Sequence, residues 1–156
     1  MQPVAAISQQ IWDMKYRFKA PGGEPVDKTI EDSWRRVAGA LAADLLDTIT
    51  PFVKPGVTTD ELDRICAEYT QDHGAISAPL GYRGFPKSIC TSINHVVCHG
   101  IPGPKALRDG DIINIDVTPI VEGWHGDSSR MYPVGKIGVK ARRLIDVTYE
   151  AMMRGI

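Results

Sequence analysis

The chain has 156 residues, with 18 Lys+Arg against 19 Asp+Glu and a formal net charge of −1. That balance argues against a nucleic-acid or anionic-membrane surface as the main partner, and no uncharged apolar run nears the ~20 residues of a membrane helix. With 43% hydrophobic and 24% charged residues, the composition is that of one soluble globular domain. The three cysteines, Cys66, Cys90 and Cys98, are an odd set without a CxxC pair. Neither a disulfide framework nor a zinc knot is expected, and a reducing cytoplasm fits best. The start, MQPVAAISQQIWDMKYRF, lacks a basic stretch followed by an apolar core, so no secretory signal is read.

Along the chain, a short helix is expected at about 7–18, followed by the turn material PGGEP at 21–25. Residues 1–30 are taken as a leader. The next helix carries an amphipathic stripe of Trp34, Val37, Ala38, Leu41, Leu45, Ile49 and Phe52. Thr29 with Asp32 should cap its start, Pro51 should distort its last turn, and Lys54-Pro55-Gly56 should end it. Thr58 to Glu61 has the form of a capping box opening a second helix, with Leu62, Ile65, Cys66 and Tyr69 inward and Gly74 as a left-handed stop. From 75 to 134 the pattern turns to short β-branched runs at Ile89–Ile93, Val96–Cys98, Ile112–Val121 and Trp124–Val134, read as antiparallel strands. A last helix is expected at about 138–154.

The stretch DGDIINIDVTPIVEGWHGDSSRM carries the chemistry. If Glu122-Gly123 is a two-residue hairpin turn, Val121 faces Trp124, Ile120 faces His125 and Thr118 faces Asp127. Asn114, Asp116, Thr118, His125 and Asp127 then share one side, with Ile113, Ile115, Val117 and Trp124 on the other. Asp116 and Asp127 become diagonal neighbours, with α-carbons about 7–8 Å apart. Two bare carboxylates so close repel, and a divalent metal between them removes the conflict. The other reading is a solvated polar face on a two-stranded ribbon. The register is sensitive, because one extra turn residue would send the two aspartates to opposite sides. In VVCHGIPG, an apolar strand delivers His99 to a glycine turn, where it can donate or accept a proton, bind metal, or simply bond loop backbone. His73 and His95 are read as surface residues, and Cys66, Cys90 and Cys98 as small packing residues.

Three segments, GALAADLLDTITPFVKPGVTTDELDRICAEY, GYRGFPKSICTSINHVVCHGIPG and LRDGDIINIDVTPIVEGWHGDSSRM, closely resemble the bacterial type I methionine aminopeptidases. The resemblance runs from about Arg36 to Ile156. It implies an α+β fold, the N-terminal half of a pita-bread (creatinase/aminopeptidase-like) domain, with an antiparallel sheet and helices packed on one face. It further implies removal of N-terminal methionine from nascent proteins in the cytoplasm, with two divalent metal ions (cobalt, manganese, iron or zinc) as cofactors. By the same resemblance Asp116 chelates one metal and Asp127 bridges both. His99 is catalytic and contacts the scissile amide or the substrate amine, while Tyr82, Phe85 and Cys90 line the methionine slot. The implied partner is the N-terminal peptide of a nascent protein, compatible with work beside the ribosome. No membrane and no specific nucleic acid is implied, and intact members are usually monomeric.

The chain departs from the family at Phe85, where tyrosine is common, at Pro79, where cysteine is frequent, and at His95, where glutamate is frequent. The family's remaining ligands, one histidine and two glutamates, belong to a second half absent from these 156 residues. Residues 31–156 are therefore expected to be an incomplete domain that binds metal weakly, turns over little substrate, and is marginally stable or self-associating. The alternative is a catalytically silent fragment or interaction module. Upstream, ISQQIWDMKYRFKAPGGEPVDKTIEDSWRRVA at 7–38 resembles the start of adenosylcobalamin-dependent ribonucleotide reductases, without their active-site cysteines. The two resemblances meet near Arg36, as they would in a chimera.

Overall fold

The computed structural model describes residues 6–156; the first five residues of the expected leader lie outside it. The described residues begin with α1 (Ala6–Ile11), which runs into a single π turn at Trp12–Tyr16. The helix stops there, two residues short of expectation, because Arg17 turns extended (φ −62°, ψ 120°). Its guanidinium donates instead to the carbonyls of Asp27 (2.6 Å) and Lys28 (3.1 Å). The Trp12 indole is buried and donates to Ser33 Oγ at 2.9 Å. Asp27, also buried, accepts from Ser33 Oγ at 2.6 Å and from Arg36 Nη2 at 2.7 Å. These bonds fasten the leader to the following helix.

That helix, α2 (Ile30–Ile49), starts with the expected reciprocal cap. Thr29 Oγ1 accepts from the Asp32 N–H, and the Asp32 carboxylate accepts from the Thr29 N–H. Ala38, Leu41, Leu45 and Ile49 are buried as anticipated, joined by Ala42 and Leu46. The ends of the stripe differ: Trp34 is only half-buried, and Val37 and Phe52 are exposed. Thr50–Phe52 forms a 3₁₀ turn with Pro51 inside it, which swings Phe52 off the inward face.

In α3 (Thr59–Asp72) only half of the predicted box forms. Thr58 Oγ1 accepts from the Glu61 N–H at 3.2 Å, but Glu61 does not reach back. Thr58 instead bridges to Ala106, and the Thr59 N–H donates to the Lys105 carbonyl, so this backbone is committed to a distant segment. Leu62 and Cys66 are buried, Ile65 and Tyr69 pack at the margin, and Gly74 adopts a left-handed φ of +67°.

Six strands follow: β1 (Ile76–Ser77), β2 (Cys90–Ile93), β3 (Ile112–Val117), β4 (Pro119–Val121), β5 (Trp124–His125) and β6 (Ser128–Pro133). Every pairing is antiparallel. The strands form two three-stranded sheets, ordered β2-β3-β6 and β1-β4-β5. The long runs expected at 112–121 and 124–134 each break once, at Thr118 and at Gly126-Asp127. Pro119 has no N–H to continue the ladder. Opposite it, Gly126 lies so close to α2 that a β-carbon there would sit 1.9 Å from the Ala38 carbonyl oxygen.

The run Val96–Cys98 is a turn rather than a strand, and Val97 is 94% exposed. It is held between two left-handed residues, Asn94 (φ +53°) and His99 (φ +52°), which leave no room for a pleat. Cys98 is correspondingly exposed, not packed.

The architecture is α+β. Ile113, Ile115 and Val117 of β3 meet Leu45, Leu46 and Ile49 of α2 and Leu62 and Cys66 of α3 in one core. The opposite face of the sheet mixes polar Asn114 and Asp116 with Cys90, Ile112 and Met131. The last helix, α4 (Val139–Gly155), buries none of its residues. Among the described residues, no helix is long and apolar enough to cross a membrane.

Candidate metal centre and active-site cavity

The hairpin turn is the two-residue loop expected from Glu122-Gly123. Both residues have positive φ (+50° and +84°), as a type I′ turn requires. Val121 pairs with Trp124 and Ile120 with His125. The same register resumes beyond the break, with Val117 opposite Ser128 and Asp116 opposite Ser129. Asp116 and Asp127 therefore fall on the same side of the ribbon. On the other edge of β3, Cys90 pairs with Asp116 and shares that side.

These side chains open into a cavity of about 620 Å³. Asp116, Asp127, Thr118 and His125 come from the hairpin, and Cys90 from β2. Tyr82 and Phe85 come from the turn after β1, and His99 from the loop after β2. That loop is held tightly. The Thr91 N–H donates to the Gly100 carbonyl (2.8 Å), and the Gly100 N–H donates to Ser92 Oγ (3.2 Å). A β-carbon at position 100 would lie 2.0 Å from the Thr91 carbonyl oxygen, so only glycine lets His99 approach this closely.

Burial pushes the Asp116 carboxyl up from its ordinary value, the negative charge of Asp127 pushes it further, and His99 opposes both. Asp127 is more exposed and accepts from Thr118 Oγ1 at 3.3 Å. The Cys90 thiol is pushed up to about 11, chiefly by burial and next by Asp116. It stays protonated at neutral pH, an apolar wall and not a nucleophile.

The other candidates lie elsewhere. Asn114 follows Asp116 on the strand face but turns its amide toward Ser129 Oγ (3.4 Å) and lines a separate cavity beside α4. His73 stacks on Tyr69 at the surface, and His95 is exposed. Cys66 is a core residue whose thiol burial raises to about 12. Several cavity residues were missed in the sequence, among them Ala78, Arg83, Pro86 and Ile101. The glycines flanking Arg83 at 81 and 84 were the available signal.

The donor set suits a hard divalent cation. Two carboxylates face one space, and the negative charge of Asp127 makes ionisation of Asp116 costly until a cation arrives. Among the described residues, however, no cluster of three or more His, Cys, Asp or Glu side chains is gathered to hold a metal. The chain offers one side of a coordination shell.

Comparison with known proteins identifies relatives of the chain and of its fold. The methionine aminopeptidase of Rickettsia prowazekii (strain Madrid E) is 64% identical over 121 residues, which is 78% of this chain and 47% of that protein. The crystal structure of the Rickettsia prowazekii enzyme superposes with a TM-score of 0.77, at 63% identity, over 78% of this chain and 49% of its own. The Xaa-Pro dipeptidase of Bacillus anthracis, at 20% identity, shares the fold over 99% of this chain and 39% of its own, with a TM-score of 0.70. The fold is thus the pita-bread type common to these peptidases. The chain spans about half the length of the curated relatives it matches. Residues 34–156, from the first turn of α2 through α4, match throughout, and the chain belongs to metallopeptidase family M24.

Proposed function

We propose that this chain carries the N-terminal half of a methionine aminopeptidase site, one that removes N-terminal methionine from nascent proteins in the cytoplasm. One observation carries the reading: Asp116 and Asp127 share a cavity with His99 and with a wall built from Tyr82, Phe85 and Cys90. Asp116 would hold one divalent cation, and Asp127 would stand between two. Cobalt, manganese, iron and zinc all suit such ligands. When bound, the metal supplies Lewis-acid polarisation of the scissile carbonyl and lowers the pKa of water. Two rings and a neutral thiol form a slot for a thioether side chain. His99 stands where it can hold a proton for the departing amide nitrogen. The free amine of the substrate would be held at the metal centre, which would restrict cleavage to the first residue. We read residues 1–30 as a leader and 31–156 as the peptidase portion; the family match beginning at residue 34 supports that boundary.

The test is calorimetric titration of the chain with Mn²⁺, together with methionine release from Met-Gly-Met. Binding should be weak in the wild type, lost in Asp116→Asn and in Asp127→Asn, and accompanied by little or no turnover. Mn²⁺ binding that survives replacement of both aspartates would overturn the assignment.

A further inference from the structure

The turn at Tyr82–Gly84 forms part of the cavity wall and holds a non-glycine residue, Arg83, in the left-handed region. Gly81, Arg83 and Gly84 all have positive φ, +82°, +48° and +82°. For arginine this conformation is costly, and such residues collect at ligand clamps. Three backbone bonds hold the turn in place: Gly81 N–H to the Phe85 carbonyl (2.8 Å), Phe85 N–H to the Tyr82 carbonyl (2.9 Å) and Gly84 N–H to the Gly81 carbonyl (3.2 Å). The result is an exposed Arg83 lining the cavity, its guanidinium carbon 5.5 Å from the centre of the Tyr82 ring.

Arg83 forms no ion pair among the described residues. The nearby Lys87, by contrast, is committed to Asp60 at 2.7 Å. Among the described residues, Arg83 is the one lysine or arginine on the cavity wall. The two aspartates face the same cavity, so charge is divided within it. Its carboxylates suit a peptide's amine, while a guanidinium resting on an aromatic face suits an anion.

We propose that Arg83 is a specificity-determining residue that binds a carboxylate on the substrate beyond the methionine, either an acidic side chain or the C-terminal carboxylate of a short peptide. This rests on the methionine reading above. With the amine at the Asp116–Asp127 end of the cavity and the thioether against Tyr82, Phe85 and Cys90, Arg83 on the same wall is within the space left for the remaining peptide.

The experiment measures binding of C-terminally amidated Met-Gly-Asp and Met-Gly-Asn peptides to the full chain by ligand-observed NMR, in wild type, Arg83→Ala and Arg83→Lys. Wild type should bind the aspartate peptide about three-fold more tightly, a modest ratio set by solvent exposure of the guanidinium. The preference should vanish in Arg83→Ala, persist in part in Arg83→Lys, and shrink in 0.5 M salt, roughly a 4 Å screening length. Free-acid Met-Gly-Asn tested beside its amide separates a C-terminal carboxylate from a side-chain one. Equal binding of both amidated peptides and of the free acid by wild type, or a preference that survives Arg83→Ala, overturns the proposal. Ala-Gly-Asp amide isolates the underlying reading. If it binds as well as Met-Gly-Asp while the Arg83 dependence holds, the methionine slot fails and Arg83 stands. If no peptide binds, both fall.

Discussion

Asp27 shows how a single side chain organises the leader. Its carboxylate is buried, yet it accepts from Arg36, Ser33 and the Phe18 N–H. The Arg36 hydrogen bond is the main cause that holds its pKa at about 2, against the opposing effect of burial. The folded value lies below the unfolded one, so the charged form stabilises the fold at neutral pH. That contribution is complete above about pH 4 and drains away as the pH falls toward 2. Asp27→Asn should cost about 2 kcal/mol at pH 7. Urea melts of wild type and variant should converge as the pH is lowered to 2.5; a gap that stays constant with pH would contradict this. Neither Asp27 nor its partners stood out in the sequence, because Arg36 lies nine positions away and the loop that brings them together has no periodic signature. The Thr29–Asp32 cap, by contrast, is a local bond with a fixed spacing and was readable.

At the scale of elements, the decisive feature is the bend that divides one long hairpin between two sheets. Its turn position was legible from Gly123 between two β-branched runs, and the two-residue loop fixes the pairing on either side, with Glu122 held at a positive φ. The bend itself depends on Gly126 lying against the Ala38 carbonyl, a contact between residues 88 positions apart that no local pattern announces. Gly126→Ala must push backbone against backbone, and we expect a loss of about 3 kcal/mol or failure to fold. Gly103, which has open space around its α-carbon, is the control, and Gly103→Ala should change stability by less than about 0.5 kcal/mol. Equal effects of the two substitutions in chemical denaturation would refute the packing argument. The same bend exposes Asp127 while Asp116 stays half-buried, so two chemically identical carboxylates sit in different surroundings.

For the whole molecule, stability is concentrated where α2 and α3 cover β3. Leu45, Leu62, Ile113 and Ile115 are at most 1% exposed, and Leu45→Ala should cost about 2–5 kcal/mol. The helix α4 contributes little to that core. Leu144 and Val147 are 60% and 54% exposed, and a 17-residue helix without packing is marginal in water. Amide hydrogen exchange should therefore show α4 exchanging far faster than β3, and Leu144→Glu should leave the melting midpoint nearly unchanged. Protection in α4 equal to that of β3 would show that it is packed in solution. The candidate site is also a property of the whole molecule, because Asp116, Asp127, His99 and the wall of Tyr82, Phe85 and Cys90 come from four separate segments.

Sequence alone determined what depends on short-range chemistry: the Thr29–Asp32 cap, the I′ turn, the alternation that puts Asp116 and Asp127 on one side, and the motifs that mark the family. These follow from bonds and periods spanning a few residues. Tertiary structure decided the rest. It turned Val96–Cys98 into a loop, split the sheet at Pro119, rotated Asn114 out of the cavity, and stood Arg83 at its wall. Each outcome depends on backbone segments far apart in sequence competing for the same space. Steric exclusion of that kind is felt only once the chain has closed on itself.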